Sequence, residues 1–369
     1  MPTLHVINGR FGAQRVTGVQ RVARGLLGAL DACTELPGRW QLLSPSGVQW
    51  PPLSRIELVT RPFPAGGGHG WEQTVVAAAA ARGARVLNIA GSGPWLGGPQ
   101  VSWLHDAAVF DHPGAYRPAF VHWYRALFRH RARRGDLLIT PSEHARRRLA
   151  LHLGLAESRI AVLPHGADHL DAVEPDGQLL QRHRLSPGRY WLAVASANPN
   201  KNLARLADAW ARVPVLSRLP LVLVGGHDPQ VFAQAGAAAP AALTVLGAVD
   251  DPALKALLLG ARALVIPSIV EGFGLPALEA LRCACPVIAA RAAALPEVCG
   301  DAAHYVDPLD VEDMAAALSR LAHDDEALLR LRAAGPARAR AFTWAGTVQR
   351  LLRLLAVPPA ELDGVGGLA

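Results

Sequence analysis

Short apolar, β-branched runs alternate with amphipathic stretches along most of the chain, and this alternation predicts strands and helices in turn. Thr3 to Asn8 reads as an opening strand and Val19 to Leu30 as the helix that follows it. From Trp40 to Gly70 the apolar runs are short and broken by Pro and Gly, which predicts strands joined by irregular loops. Glu72 to Ala81 is an Ala-rich helix, and Arg85 to Ile89 and Val101 to Leu104 are strands. Tyr116 to Arg134 is helical, Asp136 to Thr140 a strand, Pro141-Ser142-Glu143 a helix start, and Ile160 to Leu163 a strand. A polar, turn-rich passage runs to about Gly188 and marks a domain boundary. The alternation then resumes with strands at Trp191 to Ala195, Leu221 to Gly225, Thr244 to Leu246 and Ala263 to Ile266. Helices are expected over Asn202 to Ala211, Pro252 to Gly260, Asp310 to His323, Glu326 to Ala334 and Phe342 to Leu355. Such a pattern predicts an α/β protein with doubly wound parallel sheets, and 369 residues suit about two domains.

Composition narrows the class. Hydrophobic residues make up 51% of the chain and charged ones 18%, which is enough apolar material for large cores and excludes a disordered protein. No segment reaches about 18 uncharged apolar residues, so no spanning helix is expected. The opening MPTLHVINGR lacks a basic start followed by an apolar run, which points away from a secretory signal and toward the cytoplasm. The net charge of +7 implies an anionic partner. Nucleic acid, anionic lipid and sugar nucleotide all qualify, but no nucleic-acid motif supports the first. Cys33, Cys283, Cys285 and Cys299 show no C-x-x-C spacing and read as reduced thiols rather than metal ligands.

The chemistry concentrates in Pro267 to Glu279, PSIVEGFGLPALE, where Glu271 and Glu279 flank a loop that opens into a helix. Gly272 and Gly274 leave room for a ligand near the backbone, and a helix beginning near Gly274 or Leu275 offers free N–H groups and a positive dipole end to a phosphate. The carboxylates suit neutral hydroxyls on either side, so the combination describes a nucleotide sugar. Lys201, at the start of a helix after the Trp191 to Ala195 strand, can neutralise a diphosphate. His105 and Asp106 stand at the carboxyl end of a strand, where open α/β sheets bind ligands. The loop from Gly9 to Gly18 is not G-x-G-x-x-G; Arg15 and Gly18 are its candidate ligand-facing residues, beside the plainer reading of a Gly-rich turn. Tyr116 to Arg134 mixes aromatic residues with six arginines and suits either an anionic membrane surface or a solvated domain face.

E-G-F-G-L-P-x-L-E from Glu271 to Glu279, followed by Cys285-Pro286-Val287-Ile288 and Leu295-Pro296-Glu297-Val298, resembles the donor site of retaining glycosyltransferases of the two-Rossmann (GT-B) type, family 4. These are the group 1 glycosyltransferases, with mannosyltransferase-like members. The resemblance is strongest over Asp136 to Trp344 and weak before Val101. It implies two Rossmann-like domains facing a cleft: an acceptor-side domain over 1–170, a nucleotide-sugar domain over 171–343, and a last helix in 344–369 that crosses back. It further implies that Glu279 holds the ribose, that Glu271 and His105 position the transferred sugar, and that Gly272, Phe273, Gly274 and Leu275 line the donor site. Arg15, Gly18 and Asp106 would belong to the cleft or acceptor side. The family often has Arg-Lys-Asn where this chain has Asn200-Lys201-Asn202, which leaves Lys201 as the main cation, and it usually has Asn where His165 stands. The implied activity is retaining transfer of a hexosyl group from a GDP-mannose-like donor to a glycan or lipid-linked glycan, at the inner face of the cytoplasmic membrane, in cell-surface polysaccharide assembly. No separate cofactor and no metal is implied, since the chain contains no D-x-D. A non-catalytic sugar-nucleotide-binding partner of another transferase stays open as the alternative.

Overall fold

The computed structural model describes residues 3–63, 68–196, 198–225 and 243–357. The chain divides into two compact units: Met1–Gly166 together with Trp344–Ala369, and Ala167–Thr343.

In the first unit, β1 (Leu4–Asn8), β2 (Arg39–Pro45), β3 (Glu57–Arg61), β4 (Arg85–Asn88), β5 (Val101–Trp103), β6 (Leu137–Thr140) and β7 (Ile160–Val162) form one sheet in the order β3-β2-β1-β4-β5-β6-β7. All pairings are parallel. Ile7 sits between Leu42 and Leu87 in register, and all three are fully buried, as a parallel sheet covered on both faces requires. Successive connections change direction between β1 and β4, so this gap is the topological switch point of the unit. The helix Trp344–Ala356 packs on the helix Gly18–Ala32. Gly25 makes this approach possible, because a Cβ there would lie 2.5 Å from the Trp344 indole.

One expected helix, Glu72 to Ala81, has a different form. Helical turns begin at Gly68, and Glu72–Val76 winds as a π-helix before Ala77–Ala81 continues as α. The Ala-rich composition fixes helicity but carries no sign of the buried Glu72, whose ion pairs and hydrogen bonds accompany the extra residue in the turn.

The second unit carries β8 (Trp191–Val194), β9 (Leu221–Val224), β10 (Leu243–Gly247), β11 (Ala263–Ile266), β12 (Val287–Ala290) and β13 (Ala303–Val306) in the order β10-β9-β8-β11-β12-β13. Counted within the unit this is 3-2-1-4-5-6, the Rossmann order, and again every pairing is parallel. The period of two divides the core: Tyr190, Leu192, Leu264 and Val287 join one apolar cluster, while Trp191, Ala193, Ala263 and Ile288 join the other. The edge strand β13, AHYV, is not legible in the sequence because its side chains are only partly buried until Val306. Helices cover Leu203–Arg212, Asp251–Gly260, Leu275–Arg282, Val311–Leu321 and Asp325–Ala339.

All four cysteines are free, and the three in the second unit are buried. Burial pushes the thiols of Cys285 and Cys299 up to about 12. Among the described residues no cluster of His, Cys, Asp and Glu is arranged to hold a metal ion.

Candidate functional site

The switch point of the second unit lies between β8 and β11, and two loops leave the carboxyl ends of those strands. The loop after β8 ends in the turn Pro199–Lys201, which Asn198 caps by accepting the Asn200 N–H at 2.9 Å. Asn202 then adopts φ +57°, a left-handed conformation that Asn tolerates, and starts the helix Leu203–Arg212. Its buried amide donates to the carbonyls of Pro267 at 3.0 Å and Pro308 at 2.7 Å. The Asn200 carbonyl accepts from Ile269 N–H at 2.9 Å. These bonds stitch the lysine loop to the glutamate loop after β11.

The consequence is a direct contact: Lys201 Nζ donates to Glu271 Oε1 at 2.7 Å. Their side chains are 25% and 11% exposed, so the pair is partly open to a ligand. Glu271 is fixed from the other side as well, its carbonyl accepting from Ala294 N–H at 3.3 Å. Gly274 then turns the chain into the helix Leu275–Arg282 with φ +94°, and any Cβ there would lie 2.7 Å from Leu295 Cδ2. Only glycine meets both conditions. Pro276 carries no N–H, and the amides of Ala277 and Leu278 bond to the Gly274 carbonyl at 2.9 and 3.3 Å, so the Leu275 amide is the first-turn donor left for a ligand, at the positive end of the dipole.

Glu279 lies one turn and more into the same helix and is 3% exposed. His169 Nε2 stands 3.2 Å from its Oε1. The turn that carries His169, Asp168–Leu170, is held by Lys255, whose ammonium donates to the carbonyls of Leu170 at 2.8 Å and Val173 at 2.7 Å, and by the ion pair of Arg282 with Asp171. No sequence signal singles out His169; only the fold brings it to Glu279. The side chains of Phe273 and Leu275 are buried, Phe273 at 5.8 Å from the Phe342 ring, so these two residues present backbone rather than side chain at the loop.

In the first unit, His105 follows β5 as expected, and its Nε2 bonds to the Ile89 carbonyl at 2.9 Å. A carbonyl only accepts, so Nε2 carries the proton and Nδ1 presents its lone pair. Burial lowers the His105 pKa to about 4, which keeps the ring neutral near pH 7. His165, at the end of the segment after β7, lies 5.8 Å away between ring centroids and is likewise held well below the ordinary histidine range by burial. Asp106 accepts from Ala108 N–H at 2.9 Å, just ahead of the short helix Ala108–Asp111. Arg15 is exposed, and Gly18 is the first residue of its helix, with open space where a Cβ would stand. Of the six arginines between Tyr116 and Arg134, four are used internally. Arg125 binds the Val109 carbonyl, Arg129 stacks over Phe110, Arg131 pairs with the buried Asp136, and Arg134 binds the Trp95 carbonyl.

Two family models match this chain: Glycosyl transferases group 1 over residues 181–338 and Glycosyltransferase Family 4 over residues 45–169. The chain belongs to the group 1, family 4 glycosyltransferases. O-antigen chain mannosyltransferase B of Escherichia coli is 30% identical over 253 residues, which are 66% of this chain and 66% of that protein. The MMP alpha-(1->4)-mannosyltransferase of Mycolicibacterium hassiacum is 32% identical over 268 residues, 68% of this chain and 63% of its own length. The chain thus spans about two thirds of these relatives and less of others, 28% of the serotype-specific mannosyltransferase WbdA of Escherichia coli. The fold is that of the GT-B glycosyltransferases. Sucrose-phosphate synthase from Thermosynechococcus elongatus superposes with a TM-score of 0.75 at 20% identity over 96% of this chain and 99% of that one. WaaG, a glycosyltransferase involved in lipopolysaccharide biosynthesis, does so with 0.70 at 15% identity over 96% and 100%.

Proposed function

We propose that this group 1 glycosyltransferase moves a hexosyl group, with retention of configuration, from a nucleoside-diphosphate sugar to a hydroxyl of a glycan or lipid-linked glycan in cell-surface polysaccharide assembly. The observation that carries the reading is the Lys201–Glu271 contact at the switch point, beside a glycine-turned helix that also holds Glu279. Lys201 and the Leu275 amide at the helix start stabilise the diphosphate as its charge grows, Glu271 sits against the transferred sugar, and Glu279 accepts from the ribose hydroxyls. In the first unit, neutral His105 offers Nδ1 to a sugar hydroxyl. The acceptor hydroxyl's proton passes to the departing phosphate, the bond to the anomeric carbon forming on the face the diphosphate leaves. A mannosyl donor is favoured by the names of the three relatives given above, all mannosyltransferases.

Thermal shift with GDP-, UDP- and dTDP-sugars, followed by NMR of the product anomer with the donor that binds, tests this reading. A raised midpoint and a product with the donor's anomeric configuration are expected. Binding without turnover for any acceptor turns the protein into a sugar-nucleotide-binding partner instead, and inversion overturns retention. No helix among the described residues is long and apolar enough to cross a membrane. A peripheral contact with anionic lipid would draw on Arg117, Arg133 and the exposed Phe120 rather than on all six arginines. Failure to co-sediment with anionic vesicles at low salt removes that part of the reading.

A further inference from the structure

The first unit has a switch point of its own, between β1 and β4, and a polar network fills it that no step above uses. Its centre is Glu72, whose carboxylate is fully buried in the π-helical turn. Asn8, the last residue of β1, donates to Oε1 at 2.9 Å, Ser92 Oγ donates to the same oxygen at 2.7 Å, and Arg10 Nε approaches it at 3.2 Å. Arg10 also donates to Ser92 Oγ at 2.9 Å, and Asn8 to Asn88, the last residue of β4, at 3.1 Å. These donors, with His69, hold the Glu72 pKa below the usual carboxylate range despite its burial, so Glu72 is an anion.

His69 is the member of the network that reaches the outside. Its Nδ1 lies 2.9 Å from Glu72 Oε2, and because a carboxylate only accepts, Nδ1 donates and carries the proton. The side chain is 38% exposed, and Nε2 makes no hydrogen bond among the described residues. Beside it stands an aromatic wall: the Trp123 ring centroid is 4.9 Å from the imidazole and Tyr124 6.3 Å away. A π-helical turn at the carboxyl ends of β1 and β4 is an expensive way to build a helix that only packs, since it gives up regular bonding. What it achieves is a partly exposed imidazole oriented by a buried anion, with Nε2 left unbonded among the described residues next to an indole.

From this we infer that His69, oriented by Glu72 and flanked by Trp123, is a saccharide-binding subsite of the first unit. Nε2 accepts from a sugar hydroxyl, and the Trp123 ring lies against the C–H face of the pyranose, the two demands that a neutral, amphipathic sugar makes. A charged ligand fits less well. Arg10 and Glu72 pair with each other behind the ring at 3.2 Å, so neither charge is left over to hold a charged ligand. The role of this subsite in transfer, as a place for the acceptor, rests on the proposed function; saccharide binding as such does not.

The test is ligand-observed saturation-transfer NMR on the full chain with methyl α-D-mannopyranoside, methyl α-D-glucopyranoside and methyl α-D-galactopyranoside. His69→Asn keeps an N–H for Glu72 while removing Nε2, and Trp123→Leu removes the flat wall while keeping apolar volume. At least one saccharide should bind the parent protein, and each variant should weaken it about tenfold or more with an unchanged thermal midpoint and unchanged nucleoside-diphosphate affinity. Where one variant lowers the midpoint, the other carries the test, and unchanged saccharide affinity in it overturns the subsite. No saccharide binding to the parent, or equal binding by parent and His69→Asn, overturns the subsite. Nucleotide binding that persists in that event leaves the donor reading standing, and its loss with saccharide binding intact overturns the donor reading alone.

Discussion

Removing the charge of Glu271 should strengthen the binding of a free nucleoside diphosphate while slowing transfer. Lys201 is already occupied: its ammonium donates to Glu271 at 2.7 Å, so a diphosphate must draw the lysine away or share it. Two unit charges at this distance attract by about 6 kcal/mol at an effective dielectric of about 20. Both side chains keep some contact with solvent, 25% and 11%, and screening and desolvation bring the net value of such a pair to about 1 kcal/mol. Glu271→Gln should therefore tighten free nucleoside diphosphate by about fivefold, the equivalent of 1 kcal/mol. Lys201→Ala should weaken it and lower kcat/KM by about 100-fold. In the Lys201→Ala background the gain from Glu271→Gln should shrink, because the competitor no longer has anything to hold. The same Glu271→Gln should lower kcat, since a carboxylate beside the sugar counts most when positive charge develops there. Calorimetry with the nucleoside diphosphate and single-turnover transfer with the donor measure the two effects separately. Loss of nucleotide affinity in Glu271→Gln as large as that in Lys201→Ala would refute the competition.

Three further outcomes are expected. Because the folded His105 pKa is lowered to about 4 from 6.5, the unfolded chain takes up the proton first, and stability contributed at neutral pH is lost as pH falls from about 6.5 toward 4; His105→Gln should reduce the loss between pH 7 and pH 5 by about 2 kcal/mol, and parallel melting curves of parent and variant would contradict this. Asn202→Ala removes two buried hydrogen bonds and places alanine at a positive φ, so chemical denaturation should show a loss of about 3–4 kcal/mol together with weaker nucleotide binding; a loss under about 1 kcal/mol would mean the two loops hold together without it. Transfer should continue in EDTA, with Lys201 and the helix start serving the diphosphate; activity abolished by EDTA and restored by Mg²⁺ or Mn²⁺ would reverse that assignment.

Much of this organisation was legible in the sequence because parallel strands buried on both faces announce themselves as short apolar runs. β8, β9 and β11 all read that way, whereas β13, half-exposed at the sheet edge, did not. Of the site, Lys201, Glu271 and Gly274 were legible because each stands next to a strand end or helix start whose backbone geometry restricts the residue type. Their direct contact was not, since it spans 70 positions and depends on the Asn202 amide reaching two carbonyls. His169 and Glu72 were hidden for a different reason. Both are defined by partners supplied by distant segments, and nothing in their local sequence distinguishes a paired buried charge from a solvated one.

The central claim, a nucleoside-diphosphate site built on the second unit with Glu279 at the ribose, is tested most directly by calorimetric titration of parent and Glu279→Gln with GDP and UDP and with their 2′-deoxy forms. Glu279 is 3% exposed, so its charge acts at short range on whatever it holds. The account predicts that the parent binds at least one ribonucleotide, that Glu279→Gln weakens it by about 1.5–3 kcal/mol, and that the 2′-deoxy form loses less. Equal affinity of parent and variant for the ribonucleotide, or no nucleotide bound by the parent, would contradict it.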